Sequence, residues 1–174
     1  MTDSTFAHFQ LLRRTGERAL SEIFLARDTE LDREVVLAVL PERLTGEPAA
    51  VARFVGAARA AAGLLHQNLA TIYNVGEHRG RPYIAMERVD GRPLAEVLAD
   101  GPLPVETAAS VALQVARGLA AAHRLGVCLG GLEAGDVLVG TSGRVRVLTF
   151  GLADREGAAW DAGGTELAAA APDQ

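Results

Sequence analysis

Residues 24–40 read FLARDTELDREVVLAVL. Two apolar runs flank a charged middle, Asp28 to Glu34, in which a turn is easily solvated. The apolar runs are short and rich in Val, Leu and Phe, so they read as strands Glu22–Asp28 and Glu34–Pro41 folded back on each other. Immediately upstream, Phe9–Thr15 has the same character and makes a third antiparallel strand. Downstream, residues 48–65 are alanine-rich with Val51, Phe54, Val55 and Ala58 at helical spacing, and Pro48 suits a first helical turn. Gly56 and Gly63 each cost that helix about 1 kcal/mol relative to alanine, so packing must hold it. Two further strands, Thr71–Glu77 and Pro82–Arg88, surround the polar turn His78-Arg79-Gly80. The pattern then changes: a short helix over 93–99, a long one over 104–125 with Val111, Val115, Leu119 and Ala122 on one face, and Gly126 placed to stop it. Asp136–Val139 and Val145–Thr149 flank Gly140-Thr-Ser-Gly143 as a hairpin. The expected fold is α+β: a five-stranded antiparallel sheet with one main helix, then a mainly helical segment.

The bulk numbers narrow the function. The chain has 174 residues, 49% of them apolar and 22% charged, which suits a packed globular domain. A net charge of −5 argues against nucleic acid and anionic membrane as partners. Cys128 is the single cysteine, so no internal disulfide can form, and the start of the chain has neither a basic region nor an apolar run of a signal peptide. No apolar stretch reaches membrane-spanning length. A cytoplasmic location is the expectation. All 17 basic residues are arginine, which excludes any mechanism that needs a lysine amine.

The order of elements, together with GRPYIAMERVDGRPL (residues 80–94) and GRVRVLTFGLAD (residues 143–154), resembles the protein kinase superfamily, and bacterial serine/threonine kinases in particular. The resemblance runs from residue 6 to about residue 155. A weak echo follows at Gly164-Thr165 and at Ala171-Pro172-Asp173, where family members read Ala-Pro-Glu. It implies a two-lobe fold: residues 1–89 as the N-lobe, 90–155 as a partial C-lobe, and 156–174 as a flexible tail. It also implies where phosphoryl-transfer groups should stand, and most of them are absent.

In the glycine-rich loop, TGERALSEIF (residues 15–24) keeps Gly16, but Arg18 and Ser21 stand where the family has its other two glycines. An ordinary hairpin turn is the expected reading; a sharper one has Arg18 reaching a phosphate. The position of the phosphate-binding lysine is Ala38, and that of its helix glutamate partner is Ala57. Loss of both together is tolerable, because only the loss of one strands a buried charge. In GVCLGGLEAGDVLVG (residues 126–140) the His-Arg-Asp motif falls on Leu129, Gly130 and Gly131. Gly131 therefore replaces the base, Glu133 the lysine that steadies the transferred phosphate, and Asp136 the metal-binding asparagine. The Asp-Phe-Gly motif reads Thr149-Phe150-Gly151, with a neutral hydroxyl where magnesium needs a carboxylate. Asp136 alone is a weak ligand, and its plainer reading is a turn residue before a strand.

Ile23, Val36, Met86, Glu87, Val89 and Leu138 correspond to the lining of the family's adenine slot, with Gly16 and Arg18 at its mouth. Strand alternation puts Val36 and Ala38 on one face, so both should line the slot. A nucleobase could lodge there, or larger side chains could close it. The expectation is a pseudokinase that takes no cofactor and no metal, with weak metal-independent ATP or nucleoside binding as the alternative. Its expected partner is a protein, either an active kinase or downstream domains of the same polypeptide, met through the helix over 48–65 or the exposed face of the helix over 104–125. Opposed to this stand an active or atypical ATP-dependent kinase using Arg18 and Asp136 as substitutes, and a remnant or fragment of a larger kinase-like protein whose remaining lobe lies beyond Gln174.

Overall fold

The computed structural model describes residues 5–18, 20–128 and 132–148. Its larger sheet is built from β1 (Thr5–Phe6), β2 (Phe9–Arg18), β3 (Ser21–Asp28), β4 (Arg33–Val39), β5 (Ile72–His78) and β6 (Arg81–Glu87), in the antiparallel order β1-β2-β3-β4-β6-β5. It therefore has six strands, one more than the sequence suggests. The extra strand is two residues long, too short to show a period. Phe6 holds it down: the ring is buried, pairs in register with Phe9 and stands edge-on to Tyr83 at 5.8 Å.

One face of this sheet carries Phe9, Ala26, Val35, Leu37, Val39, Tyr83 and Ala85 in one buried cluster. The other buries Ala38, Leu40, Ile84 and Met86 against α1 (Pro48–Ala62). The helix presents Ala50, Phe54, Ala58 and Ala61, spaced to lie on one stripe. It stops three residues earlier than its alanine content suggests, with Gly63 as its cap.

Beyond the sheet, β7 (Arg92–Pro93), α2 (Leu94–Ala99), α3 (Val105–Arg124), β8 (Val137–Val139) and β9 (Val145–Val147) form the second part. A three-stranded antiparallel sheet runs β7-β8-β9. Gly91 makes it possible: a Cβ there would sit 2.9 Å from the Val139 carbonyl oxygen. Gly126, with φ of 73°, follows the last turn of α3 in the left-handed conformation that glycine adopts freely.

The two parts are stitched along one seam. Val147 donates its N–H to the Asn68 carbonyl at 2.9 Å, and its own carbonyl accepts from Ala70 N–H at 2.9 Å. The Arg146 guanidinium pairs with Glu87 at 2.9 Å and donates to the Leu69 carbonyl at 2.8 Å. The seam fixes how the β2–β3 hairpin hangs over the loop that precedes β8. The tail over 156–174 lies outside the described residues.

Candidate functional site

The β2–β3 hairpin and the loop entering β8 face each other across a cleft. Arg18, at the end of β2, spans it. Its guanidinium makes an ion pair with Asp136 and a second with Glu133 at 3.1 Å. Asp136 is fully buried; Glu133 is largely exposed. The carboxylates are held ready by a short 3-10 turn over Ala134–Asp136, in which Asp136 accepts the Glu133 N–H at 3.0 Å and the Glu133 side chain caps the turn in return. This reciprocal cap is what Asp136 does before the strand, a stronger role than a simple turn residue. Arg18 does stand in the β2–β3 hairpin, paired in register with Ser21, and its side chain is engaged by the two carboxylates. The residues replacing a glycine, a lysine and an asparagine form one charge cluster, and their complementary signs are the signal that links them.

On the hairpin's other side, Leu20 turns inward and is buried in the cluster that contains Ala38, Phe54 and Met86. Ala57 packs against the same cluster from α1. The positions of the lysine–glutamate pair are therefore continuous apolar core. Ala38 has no exposure, so the expectation that it lines the cleft beside Val36 fails: Leu20, Leu40 and Met86 share its buried cluster. Leu20 is the residue the sequence reading missed; a lone leucine between Ala19 and Ser21 shows no periodicity.

A hollow of about 410 Å³ remains. Gly16, Arg18, Ile23, Val36, Val89 and Leu138 line it, as the sequence suggests, and Leu25, Arg88 and Leu148 join them. Met86 and Glu87 do not. Met86 is turned into the core, and Glu87 is drawn to Arg146 and to the Thr71 N–H, at 2.9 and 3.1 Å. Leu129, Gly131, Thr149 and Gly151 lie outside the described residues.

Ile23, Leu25, Val36, Leu138 and Leu148 make part of this hollow's wall apolar. Its other end is charged, with Arg18 beside Asp136 and Glu133, and Arg13, Glu17, Arg88 and Asp90 also on the lining. Taken by itself, the cluster sets one guanidinium between two carboxylates and is net negative. A further negative charge at ~4 Å is opposed by about 4 kcal/mol at an effective dielectric near 20. No lysine is available to offset it, but Arg13 and Arg88 line the same hollow. Among the described residues, no three of His, Cys, Asp and Glu converge as a metal site.

The family of the protein kinase domain matches residues 9–164. The chain belongs to the protein kinase superfamily. It is similar to the serine/threonine-protein kinase PrkC of Bacillus subtilis, with 32% identity over 146 residues, 83% of this chain and 22% of that protein. It is likewise similar to the serine/threonine-protein kinase PknL of Mycobacterium tuberculosis, with 35% identity over 133 residues, 76% of this chain and 33% of that protein. The chain thus spans between about a fifth and a third of the length of such relatives. Among solved structures, the PknI kinase domain of Mycobacterium tuberculosis superposes with a TM-score of 0.73 at 30% identity, covering 88% of this chain and 62% of that one. The six-stranded sheet with α1 is the kinase N-lobe, and β7 onward belongs to its C-lobe.

Proposed function

We propose that this kinase-like domain does not transfer phosphate and serves as a regulatory or scaffolding module. The observation that carries the reading is the Arg18–Asp136–Glu133 cluster: the cleft satisfies its own charges across the place a triphosphate would take. Burial of Ala38, with the part-buried Ala57 packed against the same apolar cluster, points the same way, since such packing needs no phosphate ligand. Losses within a cooperating catalytic unit each cost ~10³–10⁶ in rate, and here the glycine loop, the lysine, its glutamate and the base position all depart from the family pattern. A flat, uncharged ligand such as a nucleoside remains compatible with the apolar half of the hollow, without metal.

The names of the relatives favour a second reading, an active or atypical serine/threonine kinase in which Arg18 and Asp136 act on phosphate and metal. Incubating the purified chain with γ-labelled ATP, magnesium or manganese, and generic protein substrates separates the two. The proposal expects label no higher than in a protein-free blank. Label that appears and is lost in Asp136→Ala supports the second reading.

A further inference from the structure

Away from the cleft, a polar hollow of about 570 Å³ opens between the loop after α1, the outer face of α3 and the β8–β9 turn. We propose that it is a binding site for a phosphate monoester, presented on a phosphorylated side chain of a partner protein.

The lining carries Arg117, Arg144 and Arg146 beside glutamine, asparagine and serine side chains and, among the described residues, no carboxylate. That is unusual in a chain with 22 acidic residues against 17 arginines, whose arginines elsewhere mostly meet a carboxylate: Arg27 with Asp32, Arg81 with Glu22, Arg88 with Glu34 and Arg92 with Asp100. Arg146 is already paired with Glu87. Arg117 and Arg144 have no ion pair among the described residues, and both are exposed, on α3 and on the turn. Two uncommitted guanidinium groups on the lining of one hollow suit a dianionic oxyanion, which each fork can grip through two N–H groups.

The floor is rigid enough to hold them in place. Gln114 donates through Nε2 to the Gly143 carbonyl at 2.9 Å, and its Oε1 accepts the Val145 N–H at 2.9 Å. The same Oε1 accepts from Asn68 Nδ2 at 3.2 Å, and that nitrogen also donates to the Val145 carbonyl at 2.9 Å. Asn68 is buried. A single glutamine therefore ties α3, the turn and the loop after α1 together, so the spacing of Arg117 and Arg144 is set by the fold. The hollow is far larger than one phosphate, with room for neighbouring peptide backbone against Gln67 and Ser142, which favours a phosphorylated peptide over the free ion. The site stands independently of the cleft, so it survives even if the chain proves to be an active kinase.

The test is titration calorimetry of the whole chain with a phosphoserine peptide, its unphosphorylated twin and inorganic phosphate. Binding of the phosphopeptide should weaken at high salt and fall about tenfold or more in Arg117→Ala/Arg144→Ala, whose melting temperature stays that of the parent because both side chains are exposed. The unphosphorylated twin should bind at least about tenfold more weakly. Inorganic phosphate binding as tightly as the phosphopeptide, and lost in the same variant, keeps the oxyanion site but assigns it to a small phosphorylated molecule. Equal binding of both peptides, an unchanged affinity in the double variant, or no binding of any probe at millimolar concentration overturns the proposal.

Discussion

Replacing Arg18 with alanine isolates the cluster on which the cleft's chemistry turns. Asp136 has no exposure, whereas about a quarter of the Arg18 side chain does, so the pair is buried chiefly at its acidic end. Removing one partner of a buried pair costs roughly 3–5 kcal/mol because the other charge is stranded. Asp136 keeps the Glu133 N–H at 3.0 Å, which moderates the loss and puts the expectation at the lower end, about 3 kcal/mol. Glu133 is 71% exposed, so Glu133→Ala should cost under ~1 kcal/mol. The double variant Arg18→Ala/Asp136→Asn removes both charges and keeps the cap's shape, and should recover a large part of the loss. Urea unfolding followed by circular dichroism reads all of these, with the slope held constant across variants as the check on two-state behaviour. A drop of this size corresponds to about 6–12 °C in melting temperature for a domain of this length. An Arg18→Ala variant within about 0.5 kcal/mol of the parent, with no coupling to Asp136, would refute the idea that the pair is a structural closure of the cleft.

Three further expectations follow from the same packing. Ala38→Lys should unfold the chain or lower its stability by several kcal/mol, since the new ammonium meets no carboxylate in an apolar cluster, and Ala38→Lys/Ala57→Glu should be less damaged than the single change by urea midpoint. Leu20→Ala should cost about 2–4 kcal/mol by the same assay, which an exposed hairpin tip would not. Burial raises the Tyr83 phenol above its usual value of 10.0, helped by the carboxylates of Glu30 and Asp28. A raised folded-state value means the stabilising contribution is whole below pH 10 and drains away as pH rises through the folded value, so stability in strong alkali should fall more steeply for the parent than for Tyr83→Phe.

Much of this was legible in the residues alone. The short apolar runs flanking the charged middle of residues 24–40 gave β3 and β4, and the helical spacing of Val51, Phe54, Val55 and Ala58 gave α1, because apolar patterning reports burial directly. The kinase-like register singled out Ala38, Ala57, Glu133 and Asp136, and the structure puts Ala38 in the core with Ala57 packed against it, and Glu133 and Asp136 beside Arg18. What escaped was set by contacts distant in sequence. Arg18 and Asp136 are 118 positions apart, and no local pattern tells a hairpin arginine that two carboxylates will lie beneath it. The same applies to the inward turn of Leu20, which hides Ala38, and to Glu87, drawn from the cleft by Arg146. Strand β1 escaped for a different reason: two residues carry no period, and an edge-on aromatic contact holds them.

Calorimetric titration with adenosine and with ATP, each with and without magnesium, tests the central claim most directly. The self-paired cleft predicts that ATP binds no better than adenosine, that magnesium changes neither, and that dissociation constants are weaker than about 100 µM, a free energy of only about −5.5 kcal/mol. Micromolar ATP binding that requires magnesium and disappears in Asp136→Ala would contradict it.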